Sequence, residues 1–210
     1  MVNGEFEPTE RLQGMLQQAD LLVAVDGGLN HLVYLDLLPH LIIGDFDSIR
    51  PELLADYIKK GVEIKKFNPH KNETDLELAL NHVLDLGFEQ IDVFGATGGR
   101  FDHFLGNIFL FSDPRYVEKE IKIWSKSNVT FYCQTNQEIK GQKGDLISLI
   151  PITTEVTGIT TEGLLYPLND ETLVRWRTRG ISNEMESTDA RIQFQKGSLL
   201  CVHIFRMEVD

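Results

Sequence analysis

Through the first half of the chain, short apolar runs stop at glycine or aspartate and give way to helical spacing. Leu21-Leu22-Val23-Ala24-Val25 ends at Asp26-Gly27-Gly28, after which Leu29, Leu32 and Val33 take up a helical period. Leu41-Ile42-Ile43 ends at Gly44-Asp45-Phe46-Asp47; Val62, Ile64 and Phe67 mark a further strand, and Ile91-Asp92-Val93-Phe94 another. Leu12, Met15, Leu16 and Ala19 are helically spaced, as are Leu76, Ala79, Leu80 and Val83, and Phe101, Phe104, Leu105 and Ile108. Short buried runs alternating with a 3.6-residue period fit a mostly parallel sheet covered by helices on both faces. The first half is therefore expected to be a doubly wound, Rossmann-like α/β domain.

Local signals place the helix ends. Pro51 suits a first helical turn and Gly61 a termination. Thr74-Asp75-Leu76-Glu77 fits a capping box, and Gly87 closes the helix behind it. Past Asp113-Pro114 the rhythm changes. Ile121–Trp124, Thr130–Tyr132, Leu146–Ile150, Arg191–Phe194 and Leu199–Phe205 are short and β-rich, with turns at Lys140-Gly141, Lys143-Gly144 and Lys196-Gly197. This pattern predicts an all-β sandwich or half-barrel. The boundary is expected near residues 113–121, giving domains 1–118 and 119–210.

The formal charge of −12 argues against general nucleic-acid binding, which draws its affinity from basic patches facing phosphates. An anionic nucleotide would need a cation and a few local bases to reverse the field. Cys133 and Cys201, the only cysteines, lie in strand-like stretches and read as buried, reduced thiols. No signal peptide and no apolar run of membrane-spanning length is seen, so a cytoplasmic protein without a membrane partner is expected.

Alternate residues of an extended chain share a side, so Asp45 and Asp47 can converge on one cation at a strand's C-terminal end. That is where open α/β sheets bind ligands. Both could equally cap turns. Asp75, at a helix start, is favoured there by the helix dipole anyway, yet three carboxylates at one sheet edge repel unless a cation neutralises them. Mg²⁺, which binds a few carboxylates together with substrate phosphates, suits the set.

Gly95-Ala96-Thr97-Gly98-Gly99-Arg100 joins a strand to a helix. Glycines let backbone N–H groups approach phosphate oxygens, and a guanidinium can bind phosphate bidentately. The same glycines would serve any tight turn. Asp102 and His103 open the following helix; Asp26 ends another strand and can line the same crevice. Lys71 belongs to a basic stretch beside Asp75. In the β half, Ser182 and Asn183 offer short polar groups that turn chemistry would also explain. Trp124 and Trp176 are read as core or interface residues.

Val25–Leu32, Ile43–Ser48, Glu73–Glu77 and Gly95–His103 occur in the order seen in thiamine pyrophosphokinases, and Gly163–Leu168 and Gly180–Glu184 resemble that family's C-terminal domain. The resemblance spans roughly residues 20 to 205. It implies an α/β nucleotide domain, a β-sandwich and a homodimer with thiamine near the subunit interface. It also implies transfer of the pyrophosphoryl group of ATP to the thiamine hydroxyl, giving thiamine diphosphate and AMP. By position, Asp45, Asp47 and Asp75 resemble the Mg²⁺ carboxylates and, with Arg100 and Asp102, the catalytic set. Lys71, Thr97, Gly98, Gly99, Arg100, Asp102 and His103 resemble nucleotide-site residues. Ser182 and Asn183 resemble thiamine contacts, and Asp26 would lie close to both substrates. One departure stands out: family members usually begin with an apolar strand ending in a glycine-rich turn, whereas here only Met1-Val2-Asn3-Gly4 precedes the first helix. Either that strand is lost, which would leave exposed edges, or the start is shortened.

Three other readings compete. A pterin alcohol could replace thiamine as acceptor. A metal-dependent phosphohydrolase would use Asp45 as nucleophile and Asp47 as acid/base, leaving the glycine turn unexplained. A non-catalytic sensor would bind both ligands and form no product.

Overall fold

The computed structural model describes residues 1–46, 49, 51–68 and 72–206. It divides into two units, Met1–Leu110 with Trp124–Lys126, and Phe111–Ile123 with Ser127–Asp210.

In the first unit the order is α1 (Glu10–Gln17), β1 (Val23–Val25), a 3₁₀ turn (Asp26–Gly28), α2 (Leu29–Tyr34), β2 (Leu41–Gly44), α3 (Pro51–Lys59), β3 (Glu63–Lys66), α4 (Asp75–Asp85), β4 (Gln90–Phe94) and α5 (Phe101–Leu110). Strands β1, β2 and β3 pair in parallel, with Val25 opposite Ile43 and Gly44 opposite Lys66. Central β2 is buried along its whole length, and Ile42 and Ile43 expose nothing. Burial of each such side chain stabilises the fold by about 1.5–3 kcal/mol. The β3 sequence Glu-Ile-Lys-Lys is only partly buried, and charges of this kind blunt a sheet edge.

The helices start and stop where their sequences direct. Thr74 Oγ1 accepts from Glu77 N at 3.2 Å, forming the cap expected at α4, and Thr9 caps α1 in the same manner. Gly87 ends α4 with φ 90°, its N–H donating to Leu84 O. That left-handed conformation favours glycine.

The interior edge expected to be exposed is instead paired. Met1 N donates to Val23 O at 2.8 Å, and Val25 N donates to Met1 O at 2.8 Å. On the other side Val2 N donates to Phe94 O, Gly4 N to Gly95 O and Glu5 N to Thr97 O. The first residues thus run between β1 and β4, and Met1 is buried. Phe6 secures the segment edge-on against His31 and Phe94. Glycines at 28 and 95 permit this passage, since a Cβ at either would fall within 2.4 Å of a carbonyl oxygen of Met1 or Val2. A cavity of about 640 Å³ lies along these strands, lined by Leu21–Val23, Gln90–Phe94, Met1, Val2 and apolar residues of α1 and α4. Val25 and Leu76, the chain neighbours of Asp26 and Asp75, line it as well.

The second unit opens with α6 (Pro114–Val117) and continues with β5 (Glu120–Trp124), β6 (Asn128–Tyr132), β7 (Asn136–Lys140), β8 (Leu146–Pro151), β9 (Glu155–Glu162), β10 (Glu171–Val174), β11 (Asn183–Glu184), β12 (Asp189–Gln193) and β13 (Leu199–Ile204). One sheet runs β10-β9-β12-β7 and the other β11-β8-β13-β6-β5, with antiparallel pairing at β10–β9, β12–β7, β12–β9, β11–β8, β13–β8 and β13–β6. Their core contains Val156, Ile159, Leu173 and Ile192 from the first sheet and Ile147, Leu149, Leu199 and Cys201 from the second. The mostly parallel α/β unit and the antiparallel β-sandwich agree with the expected fold class. Strands β7, β9 and β10 were not anticipated. Glu155-Val-Thr-Gly-Ile-Thr-Thr-Glu162 has no apolar run, yet Val156, Ile159 and Thr161 are buried.

Candidate active site

The carboxylates of the first unit stand at the C-terminal ends of its strands. Beyond Val25 the backbone turns sharply, and Asp26 adopts φ 51°. A left-handed conformation at a residue bearing a Cβ is uncommon and costs about 1–3 kcal/mol, so packing must hold it. Here Oδ1 of Asp26 is buried and lies beside the bare Cα of Gly44; a Cβ on Gly44 would fall 2.4 Å from it. Glycine at the end of β2 therefore makes room for the carboxylate from the end of β1. Asp45 follows directly and is half-buried, and buried Phe46 is again left-handed at φ 65°.

Asp75 is the first residue of α4, which follows β3, and is half-buried behind the Thr74 cap. Asp47 and Lys71 lie outside the described residues. Among the described residues, no three His, Cys, Asp or Glu side chains form a metal-binding group. The donor chemistry at the strand ends is nevertheless carboxylate oxygen throughout, and the buried Asp26 oxygen fitted against Gly44 suits a hard divalent cation.

The glycine turn follows β4 and leads into α5. Gly95, Gly98 and Gly99 have φ values of 70°, 78° and 63°. Thr97 is tied through its carbonyl to Glu5 N at 2.8 Å, and Gly99 N donates to Glu5 Oε1 at 3.2 Å. Arg100 and Asp102 form an exposed bidentate pair, Nε to Oδ1 at 3.2 Å and Nη2 to Oδ2 at 2.6 Å. This hydrogen bonding holds the Asp102 carboxyl down to about 2. His103 is exposed on the first turn of α5.

Two residues of this region escaped sequence reasoning. Asn107 is buried on α5 and donates from Nδ2 to Ala96 O at 3.3 Å, fastening the helix to the turn. Its signal was a lone amide between the apolar positions Phe104 and Ile108. Glu5 has no local signal, being far along the chain from the turn it touches.

In the second unit, Ser182 is exposed at φ 56° and its N–H donates to Ser148 Oγ at 3.0 Å. Asn183 is buried. Its Oδ1 accepts from Tyr166 N and Glu184 N, and its Nδ2 donates to Tyr166 O at 2.7 Å. The side chain thus grips the segment Gly163–Leu168 that the sequence had singled out. Trp124 is buried, as read, but Trp176 is 67% exposed and Tyr166 61%. Trp176 is therefore no core residue of this chain; its neighbours Arg175 and Arg177 are exposed as well, which leaves its ring on the surface.

The model of the thiamin pyrophosphokinase catalytic domain matches residues 12–125, and that of the thiamin pyrophosphokinase vitamin B1 binding domain matches residues 130–199. The chain belongs to the thiamine pyrophosphokinase family. A relative of that name from Bacillus subtilis (strain 168) is 32% identical over 193 residues, covering 91% of this chain and 90% of its own. Thiamine pyrophosphokinase 1 of Oryza sativa subsp. japonica is 30% identical over 203 residues, covering 83% of this chain and 75% of its own. The crystal structure of thiamine pyrophosphokinase from Bacillus subtilis superposes with a TM-score of 0.85 at 30% identity, covering 98% of both chains. Membership of the thiamine pyrophosphokinase family carries an α/β unit and a β-sandwich in this order, as found here.

Proposed function

We propose that this chain catalyses transfer of the pyrophosphoryl group of ATP to the hydroxyl of thiamine, releasing AMP. The observation that carries the reading is the presence in one chain, in order, of regions matching a catalytic and a vitamin B1-binding domain. In the proposed reaction the thiamine hydroxyl oxygen bonds to the β-phosphorus of ATP. The bond from that phosphorus to the oxygen bridging to the α-phosphorus breaks, and AMP leaves with that oxygen. The hydroxyl proton passes to a carboxylate, Asp75 or Asp102. Chemistry of this type depends mainly on positioning and electrostatic stabilisation.

Each residue then has a physical task. Thr97, Gly98 and Gly99 shape the turn that receives phosphate oxygens, His103 opens the helix behind it, and Lys71 is a further proposed cation for the nucleotide. Arg100, once released from Asp102, pairs with phosphate. Asp45, Asp47 and Asp75 are the proposed holders of Mg²⁺, whose chemistry when bound is to neutralise phosphate charge. Asp26, held by Gly44, would face both substrates. Ser182 and Asn183 serve thiamine, Asn183 by holding Tyr166 in place. The exposed rings of Tyr166 and Trp176 offer π faces to a cationic heterocycle.

The reading includes a homodimer. Phe101, Leu105 and Phe109 recur at four-residue spacing on α5 and are 71%, 38% and 57% exposed, an apolar stripe that a second copy would cover. It also includes a cytoplasmic enzyme without nucleic-acid or membrane partners, supported by two free buried cysteines and the charge of −12. No helix among the described residues is long and apolar enough to cross a membrane.

The decisive experiment follows AMP and thiamine diphosphate with purified protein, ATP, Mg²⁺ and thiamine. AMP formation that requires both ATP and thiamine is expected, and Asp45→Asn or Asp75→Asn should lower it at least 100-fold while the circular dichroism stays native. Orthophosphate release without thiamine would overturn the reading in favour of a hydrolase.

A further inference from the structure

The glycine turn already holds an anion of the protein's own. Glu5 lies across it: its Cβ, Cγ and Cδ occupy the space within 2.5 Å of where a Cβ on Gly98 would stand. Its backbone N–H is fixed to Thr97 O at 2.8 Å, and its Oε1 accepts the Gly99 N–H at 3.2 Å. The neighbouring guanidinium of Arg100 is engaged by a second carboxylate, Asp102. Both groups that read as phosphate partners, a backbone amide and a guanidinium, thus face carboxylates. The turn follows the C-terminal end of β4, to which the Met1–Glu5 segment is hydrogen-bonded, and strand ends of this kind are where open α/β sheets bind ligands.

A carboxylate and a phosphate oxygen cannot share one N–H: each demands the same donor, and their charges repel. We propose that Glu5 is a built-in competitor for the glycine turn, which a nucleotide phosphate must displace, and that it thereby sets the enzyme's affinity for ATP. This rests on the nucleotide reading given above. Glu5 is suited to leave, because its side chain is exposed. Its backbone bond to Thr97 stays in place as the side chain swings away, so displacement breaks one exposed hydrogen bond and leaves the Met1–Gly4 pairing intact. Gly98 permits this contact as well as a later phosphate, since any side chain there would exclude both.

The test compares wild type, Glu5→Gln and Glu7→Gln by calorimetric titration with ATP in Mg²⁺ buffer without thiamine, and with adenosine. Glu5→Gln keeps the shape and removes the charge; Glu7 is an equally exposed acid that pairs with Lys126 and controls for the change in net charge. Expected is ATP binding roughly three- to ten-fold tighter in Glu5→Gln, the scale of one charge-assisted hydrogen bond with its repulsion. Glu7→Gln should match wild type, and adenosine affinity should be equal in all three. ATP binding by wild type that is unchanged or weakened in Glu5→Gln overturns this proposal alone. Equal tightening in Glu7→Gln, or tightening toward adenosine, also overturns it. No ATP binding by any of the three overturns both this proposal and the nucleotide reading.

Discussion

Oδ1 of Asp26 lies where Gly44 has no side chain, so the end of β1 is accommodated by a missing Cβ at the end of β2. Gly44→Ala is expected to push the carboxylate aside. Overpacking of this kind costs about 1–3 kcal/mol, and kcat/KM should fall at least ten-fold through the displaced Asp26. Urea unfolding and an AMP-coupled assay check both. Wild-type values in each would mean that Asp26 has room to move without consequence.

The Arg100–Asp102 pair is exposed on both sides, so it adds little to stability. Arg100→Ala should leave thermal unfolding unchanged while kcat/KM drops about 100-fold, the scale on which loss of one charge-stabilising group acts. Asp102 should titrate near pH 2 in the wild type and return toward the ordinary carboxylate range in the variant. Carboxyl ¹³C NMR titration reads this directly, and an unmoved midpoint would refute the pairing in solution.

Asn183 and Ser182 should separate sharply. Truncation of Asn183 strands the backbone N–H and C=O of Tyr166. Asn183→Ala should therefore lose about 1–3 kcal/mol and raise the KM for thiamine more than that for ATP. Ser182 carries a positive φ, so Ser182→Gly should stabilise by up to about 1 kcal/mol. A destabilised Ser182→Gly, measured by the same unfolding assay, would show that its side chain supports the turn.

The sandwich contains a buried polar knot. His203 Nε2 lies 2.7 Å from Asp145 Oδ2, which also accepts from Gln142 N, while Oδ1 accepts from Arg206 N. Burial pushes the Asp145 carboxyl up, but these donors together outweigh it and hold the carboxyl below its ordinary value. A depressed carboxyl contributes stability that is complete above its unfolded value, about 4, and is lost as pH falls through the folded one. Stability should thus decline below about pH 4. Asp145→Ala strands the Gln142 and Arg206 N–H groups, so it should be less stable by about 1–3 kcal/mol at pH 7 and should show a shallower acid limb. Parallel acid limbs in denaturant titrations at several pH values would reject this account.

Much of the architecture followed from local chemistry alone. Apolar runs ending in Asp-Gly-Gly and Gly-Asp, the Thr74 cap and the Gly87 stop are nearest-neighbour facts, and they suffice to locate β1, β2 and α4. The β9 strand is hidden in the sequence because its buried positions, Val156, Ile159 and Thr161, follow no regular two-residue period. Three features belong to the tertiary structure: Met1 and Val2 joining β1 to β4, the Asp26 carboxylate fitting against Gly44, and Glu5 folding over Gly98. Each joins segments distant in sequence, and the identity of a residue says nothing about which remote backbone it will meet. Chain chemistry decides which groups can bind a phosphate or a cation; only the packing decides which of the protein's own atoms stand there first.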